Sequence, residues 1–242
     1  MTLATSAVRV LTLSELMHIC KPHREGHATA NFPGLPAGAP GRVALGPLRL
    51  CGLEYFDAAY EGFSMHDHAE VEIITVMVKG AFVHRDTTGK TGRIETDGVQ
   101  VMSAGTGMSH EEFIDGDSAG IQIMMDPAES GVTPRCESRV YPRSEGVDEW
   151  VCLASGRPAA PPNAIVIGQN ASVARAVLSV GGAVEHEVKT GRCAYVLLVE
   201  GRVTADGDMQ MAAGERAVIS QAGMVGFRAD SASEILLIDL PA

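Results

Sequence analysis

The chain has few basic residues, no paired cysteines and no long apolar runs. Lys and Arg number 19 against 30 Asp and Glu, for a net charge of −11 over 242 residues. That balance argues against nucleic acid as a direct partner, because a phosphate backbone needs a basic face. No stretch of about 18 consecutive apolar residues occurs, so no membrane span is expected. The opening segment, MTLATSAVRVLTLSELMHICK, lacks a basic region followed by an unbroken apolar core, and no signal peptide is expected. The five cysteines, Cys20, Cys51, Cys136, Cys152 and Cys193, are odd in number and form no CxxC. A zinc knuckle or thioredoxin-type motif is therefore not readable, and reduced, mostly buried thiols in a cytoplasmic protein are expected.

What is present is a core and many turns. Hydrophobic residues make up 45% of the chain, enough to exclude disorder. Gly is abundant at 27, which fits a β-rich chain better than a helical bundle. Alternation with period two dominates. In EVEIITVMV, Val71, Ile73, Thr75 and Met77 face one way, and Glu72, Ile74, Val76 and Val78 the other. Such a run reads as a strand buried on both faces. Further short strands are expected at 82–84, 99–102, 121–125, 164–167, 176–180, 195–199, 217–219 and 234–239. Only Thr12–Ile19, with Ser14 as cap, and Ser144–Trp150 read as helical turns.

The pattern repeats. MVKG, ending at Gly80, resembles LVEG, ending at Gly201. Both precede a strand, a polar turn and a second Gly, and VMSAGTGMSH then matches VISQAGMVGF. Two similar β-barrels in tandem follow, divided near residue 145 into 1–145 and 146–242.

Two segments can carry chemistry. In His66-Asp67-His68 both imidazoles point to one face of a strand. In His110-Glu111-Glu112, His110 and Glu112 share a face and Glu111 takes the other. Two such strands facing each other in a barrel supply three nitrogens and one carboxylate. That set suits a divalent first-row metal and leaves two octahedral positions open for oxygen or substrate. His84 is a further candidate: a donor to a ligand, a pocket-wall residue or a satisfied core histidine. Counting back 14 residues from Gly201 as from Gly80 places Glu187 and Lys189 opposite His66 and His68, and the repeat sets Gly226 and Arg228 opposite His110 and Glu112. The second copy thus lacks the site, and His186 reads as a surface histidine.

The stretch Gly62–Phe113, above all HDHAEVEIITVMVKGAFVHRDTTG and QVMSAGTGMSHEEF, resembles the pirin family of the cupin superfamily. Milder similarity continues through GVTPRCESRVYPR to EILLIDLPA. The resemblance implies an all-β fold of two tandem cupin (jelly-roll-like) barrels packed together, with one metal in the first. It places the metal ligands on His66, His68, His110 and Glu112. Iron(II) is the expected ion, with manganese, nickel, copper or zinc as alternatives. The bacterial branch it most resembles contains proteins with quercetin 2,3-dioxygenase activity, and other pirins act as metal-dependent protein-binding regulators. Two functions are therefore carried forward: oxidative ring cleavage of a flavonol-like phenol by oxygen, with Glu112 as ligand and proton acceptor, or protein binding without turnover. A metal-bearing relic is a third. Pocket walls are expected from Ile74, Val76 or Met102, and a monomer suffices because the barrels can cover each other. The sequence departs from the family pattern at Asp67, where Pro is usual, and across residues 22–42, where His23 and His27 are expected in loops.

Overall fold

The computed structural model describes residues 8–242; the first seven residues of the segment weighed as a leader lie outside the described residues. The architecture is all-β. Among the described residues the strands form sheets of nine, seven and four, and no helix is long and apolar enough to cross a membrane.

The nine-stranded sheet makes the first barrel. Its frame is two long antiparallel strands, Glu72–Asp86 and Met108–Met125. Residues 82–84 therefore continue the strand that begins at Glu72, and 121–125 end a strand that already contains His110. The pairing is bulged between Met77 and Ala81. In the second barrel the corresponding strands are broken in two, Arg192–Glu200 with Arg202–Ala205, and Gly223–Ala229 with Ser233–Pro241.

The repeat is visible in the turns at these breaks. Gly80 and Gly201 both have left-handed φ values, 75° and 89°. A Cβ on either would collide with a serine hydroxyl, Ser118 for the first and Ser233 for the second. Only glycine fits both the backbone angle and the close approach.

The alternation read from EVEIITVMV sorts two cores. Ile74 and Val76 enter the largest apolar cluster, with Ile121 and Ile123 of the first barrel and Tyr195, Leu197, Leu236 and Ile238 of the second. Ile73 and Met77 face the interior of the first barrel. The barrels thus share a core, each buried side chain contributing roughly 1.5–3 kcal/mol. A polar seam joins them as well: the Thr29 and Tyr195 hydroxyls lie 2.9 Å apart, and Arg216 donates to the His27 carbonyl at 2.8 Å. The first described strand, Val8–Leu11, pairs with Arg216–Ile219, so the sheet of the second half takes in a strand from the start of the chain.

Both helical expectations are corrected. Thr12, not Ser14, caps one short 3-10 turn, Leu13–Glu15, where the Thr12 amide donates to Glu15 Oε2 at 2.9 Å. Beyond it Met17–Lys21 pairs with Arg24–Ala30, because hairpin pairing satisfies more backbone groups than a second helical turn would. Residues 144–150 form turns in which Asp148 adopts φ 61°, a left-handed conformation that no helix continues through. His27 is likewise on a strand rather than in a loop, its ring stacked on His18 at 4.9 Å, whereas His23 sits in a turn against Asp57.

Candidate metal centre

The strand Gly62–His68 pairs antiparallel with Met108–Met125, and His66 lies directly opposite His110. His68 follows on the same face. Their ring centroids are close: 4.4 Å for His66–His110, 5.0 Å for His68–His110 and 4.9 Å for His66–His68. One nitrogen from each lies within 4.8 Å of the other two.

These nitrogens are prepared as ligands. His66 Nδ1 lies 2.7 Å from the Ser64 carbonyl, which can only accept, so Nδ1 carries a proton and Nε2 is the atom left for the site. His68 Nε2 and His110 Nε2 are buried with no hydrogen-bond partner among the described residues. Buried polar atoms rarely go unpaired, and converging imidazole lone pairs fit a metal ion that would satisfy all of them at once. Burial, then the neighbouring His66, His68 and His84, hold His110 down at about 3, and burial lowers His68 too. Both are therefore neutral at physiological pH, as ligation requires.

Glu112 is placed differently. It lies 3.8 Å from His110 Nδ1 and groups with His110 and His84, not with His66 and His68. It faces the barrel interior, where burial, reinforced by Glu54 and opposed by Arg24, raises it to about 7. Glu54 itself is paired with Arg24. Glu111 takes the opposite face and accepts from Arg85 at 2.9 Å, as its parity requires.

Behind Glu112 lies a cavity of about 40 Å³, walled by Phe56, Phe63, Thr75, Met77, Phe82 and Ile114. The expected walls Ile74 and Val76 instead face the second barrel, and Met102 packs with Ile73, Ala104 and Met108. The correction follows from parity: alternate residues of the strand beginning at Glu72 serve different cores. A volume of this size admits a few waters at most.

His84, left open above, is 1% exposed, with Nε2 2.9 Å from Asp86 Oδ2 and Nδ1 3.3 Å from His110 Nδ1. Asp67 accepts from Ser109 at 2.6 Å on the exposed face. Sequence reasoning missed Asp86. Its signal was present as His84-x-Asp86, the i, i+2 spacing already used for His66 and His68.

The second barrel lacks the site, but the positions that replace it differ from those counted from glycine. Ser233 holds Gly201 as Ser118 holds Gly80. Val225 precedes Ser233 by the same eight residues as His110 precedes Ser118. Val225 opposes His186 across the strands. The equivalents of His66, His68, His110 and Glu112 are thus His186, Val188, Val225 and Phe227. Glu187, Lys189, Gly226 and Arg228 are off by one, a slip that flips every side chain to the other face. His186 is no surface residue either: its Nε2 is 3.0 Å from the buried Asp239 carboxylate.

Residues 48–125 match the family model for pirin, and residues 150–240 match that for the quercetinase C-terminal cupin domain. A pirin-like protein of Caulobacter vibrioides is 31% identical over 202 residues, covering 83% of this chain and 86% of the relative. The chain belongs to the pirin family. A quercetin 2,3-dioxygenase of Escherichia coli K12 is 29% identical to this pirin, over 84% of the chain and 86% of the relative. In three dimensions the pirin matches a bacterial pirin of Escherichia coli solved in complex with nickel(II), with a TM-score of 0.86 and 26% identity over 97% of this chain and 99% of that one.

Proposed function

We propose that this pirin is a metal-dependent dioxygenase of the quercetin 2,3-dioxygenase type, acting on a flavonol-like phenol. The observation that carries the reading is the convergence of three imidazoles, two with buried Nε2 atoms that have no partner among the described residues, beside a buried carboxylate. His66, His68 and His110 would hold the metal and Glu112 would complete the set, with iron(II) as the resident ion. When bound, the metal supplies a Lewis acid for a phenolic oxygen and a redox partner for oxygen.

The chain's own residues do the rest. His66 and His68 are only half-buried, so the site is approached from their side, whereas His110 and Glu112 close it from within. The cavity behind Glu112 is far below the roughly 300–1,000 Å³ of a pocket that encloses a drug-sized ligand. A flavonol therefore docks edge-on at the mouth, with its ring system outside the barrel. Glu112, raised to about 7 by burial in the metal-free chain, is the carboxylate placed to take the proton of a substrate hydroxyl.

The test is quercetin consumption by iron-loaded protein in oxygenated buffer, followed by flavonol absorbance. Metal-dependent loss that His66→Ala/His68→Ala abolishes supports the reading. No metal-dependent loss, with Glu112→Gln equal to wild type, overturns it. The small cavity also favours a second reading, a metal-dependent protein-binding regulator. Under that reading a partner is captured only by the metal-loaded protein, and equal capture by His66→Ala/His68→Ala contradicts it.

A further inference from the structure

We propose that Asp86 and His84 act as a relay that sets the tautomer of His110, so that the bare Nε2 of His110 points at the metal centre. The inference rests on the metal reading for its consequence, but the relay itself is a property of the metal-free chain.

The anchor is Asp86, at the end of the strand Glu72–Asp86 and 6% exposed. Its Oδ1 accepts from the Thr88 amide at 2.8 Å, the Thr88 hydroxyl at 2.6 Å and the Lys90 amide at 3.2 Å. Burial pushes this carboxyl up, but these hydrogen bonds and that of His84 outweigh it, and Asp86 is held below the usual carboxylate range. An ionised carboxylate only accepts. The Oδ2 atom, 2.9 Å from His84 Nε2, therefore requires a proton on that nitrogen. Cys136 Sγ is farther from the same nitrogen, at 3.8 Å, and uncharged, because burial raises its thiol to about 11. The shorter, charge-assisted contact governs.

The other His84 nitrogen, Nδ1, faces His110 Nδ1, and only one proton fits between two nitrogens in hydrogen-bond contact. They lie 3.3 Å apart, and a proton on the His84 side would leave a buried Nε2–H on His110 with no acceptor, so His110 Nδ1 donates and its Nε2 is left bare. Glu112, at 3.8 Å from His110 Nδ1, is too far to compete for that proton. The opposite polarity would give His110 a buried Nε2–H with no acceptor, since that atom has no partner. His84 and Asp86 are thus positioning residues, acting through His110 as carboxylate–histidine pairs behind metal ligands do.

The experiment is nitrogen-15 NMR of the histidine side chains in the metal-free full-length protein, paired with calorimetric titration of nickel(II). Wild type is expected to show His84 protonated at Nε2 and His110 at Nδ1. In Asp86→Asn the three turn donors keep the amide oxygen toward the turn, so the amide NH₂ faces His84. Both tautomers then reverse, and nickel affinity falls about 10–100-fold. His84→Gln presents an oxygen to His110, keeps the Nδ1–H form and retains most of the affinity. His84→Leu offers no acceptor and loses the Nδ1–H preference, which decides the matter if Asp86→Asn does not fold. An Nε2–H on His110 in wild type overturns the relay. So does a fall in affinity in Asp86→Asn without a change of tautomer. If nickel fails to bind wild type while the tautomers behave as stated, the relay stands and the metal reading alone falls.

Discussion

At matching register positions the two barrels hold opposite chemistry. The first brings His66, His68 and His110 around one point, with Glu112 beside His110, and leaves two imidazole nitrogens buried without partners among the described residues. The second places His186, Val188, Val225 and Phe227 there. Val188, Val225 and Phe227 join the apolar interior, and His186 turns to Asp239, which also holds Arg157 and Arg192. The first barrel therefore aims its unsatisfied nitrogens at one shared point, where they cost stability unless something binds them. The other fills most of the same space with packing and an ion-pair cluster around Asp239, in which His186 Nε2 lies 3.0 Å from the carboxylate without a well-formed hydrogen bond. The difference teaches that a duplicated fold can divide its work, with one copy carrying the site and its partner the stability.

The largest effect expected from breaking this asymmetry is at the ligands. His66→Ala/His68→Ala should abolish metal uptake, read by metal analysis, while the melting temperature of the metal-free protein stays near wild type, because both side chains are half-exposed. Next comes the pair Phe227→Ala and Glu112→Gln, which alters equivalent positions. Phe227 is 1% exposed in a packed interior, and its truncation should cost about 3–5 kcal/mol in denaturant unfolding. Glu112→Gln removes a buried carboxyl with no buried cation as its partner and should change metal-free stability by less than about 1 kcal/mol.

Asp239 sharpens the contrast through pH. Burial pushes its carboxyl up, but His186, Arg192 and Arg157 outweigh that and hold it below the ordinary range. Its stabilisation is therefore complete above the unfolded carboxylate pKa of about 3.9 and is lost as pH falls through the lower folded value. Asp239→Asn should cost about 3 kcal/mol at pH 7, and the gap to wild type should close below about pH 4 in urea melts. A constant gap down to pH 2 would contradict the ion-pair account. The smallest difference between the two barrels tests the repeat itself. Gly80→Ala and Gly201→Ala, sharing one backbone angle and one serine obstacle, should each cost about 1–3 kcal/mol and agree within about 1 kcal/mol.

Much of this division was legible in the residues. The alternation in EVEIITVMV separated two buried faces, because side-chain direction in a strand depends on parity, but did not show which face lined the pocket: Ile74 and Val76, expected there, face the second barrel. The same parity grouped His66 with His68 and His110 with Glu112, and turned Glu111 outward. What parity does not carry is register between distant strands. Counting from Gly201 missed His186 by one residue, because the turns of the two copies differ in length. The pairing of Val8–Leu11 with residues 216–219 leaves no local mark, nor does the contact between His84 and His110, which depends on which strands are neighbours. The segment 12–19 was misread because a short apolar pattern suits a helix or a hairpin strand equally, and only its partner strand decides.

The central claim, one metal held in the first barrel alone, is tested most directly by titrating the metal-free protein with nickel(II) in a calorimeter, with wild type beside His110→Ala. The account predicts one equivalent for wild type and none for the variant at the same concentration. Two equivalents, or one that survives His110→Ala, would contradict it.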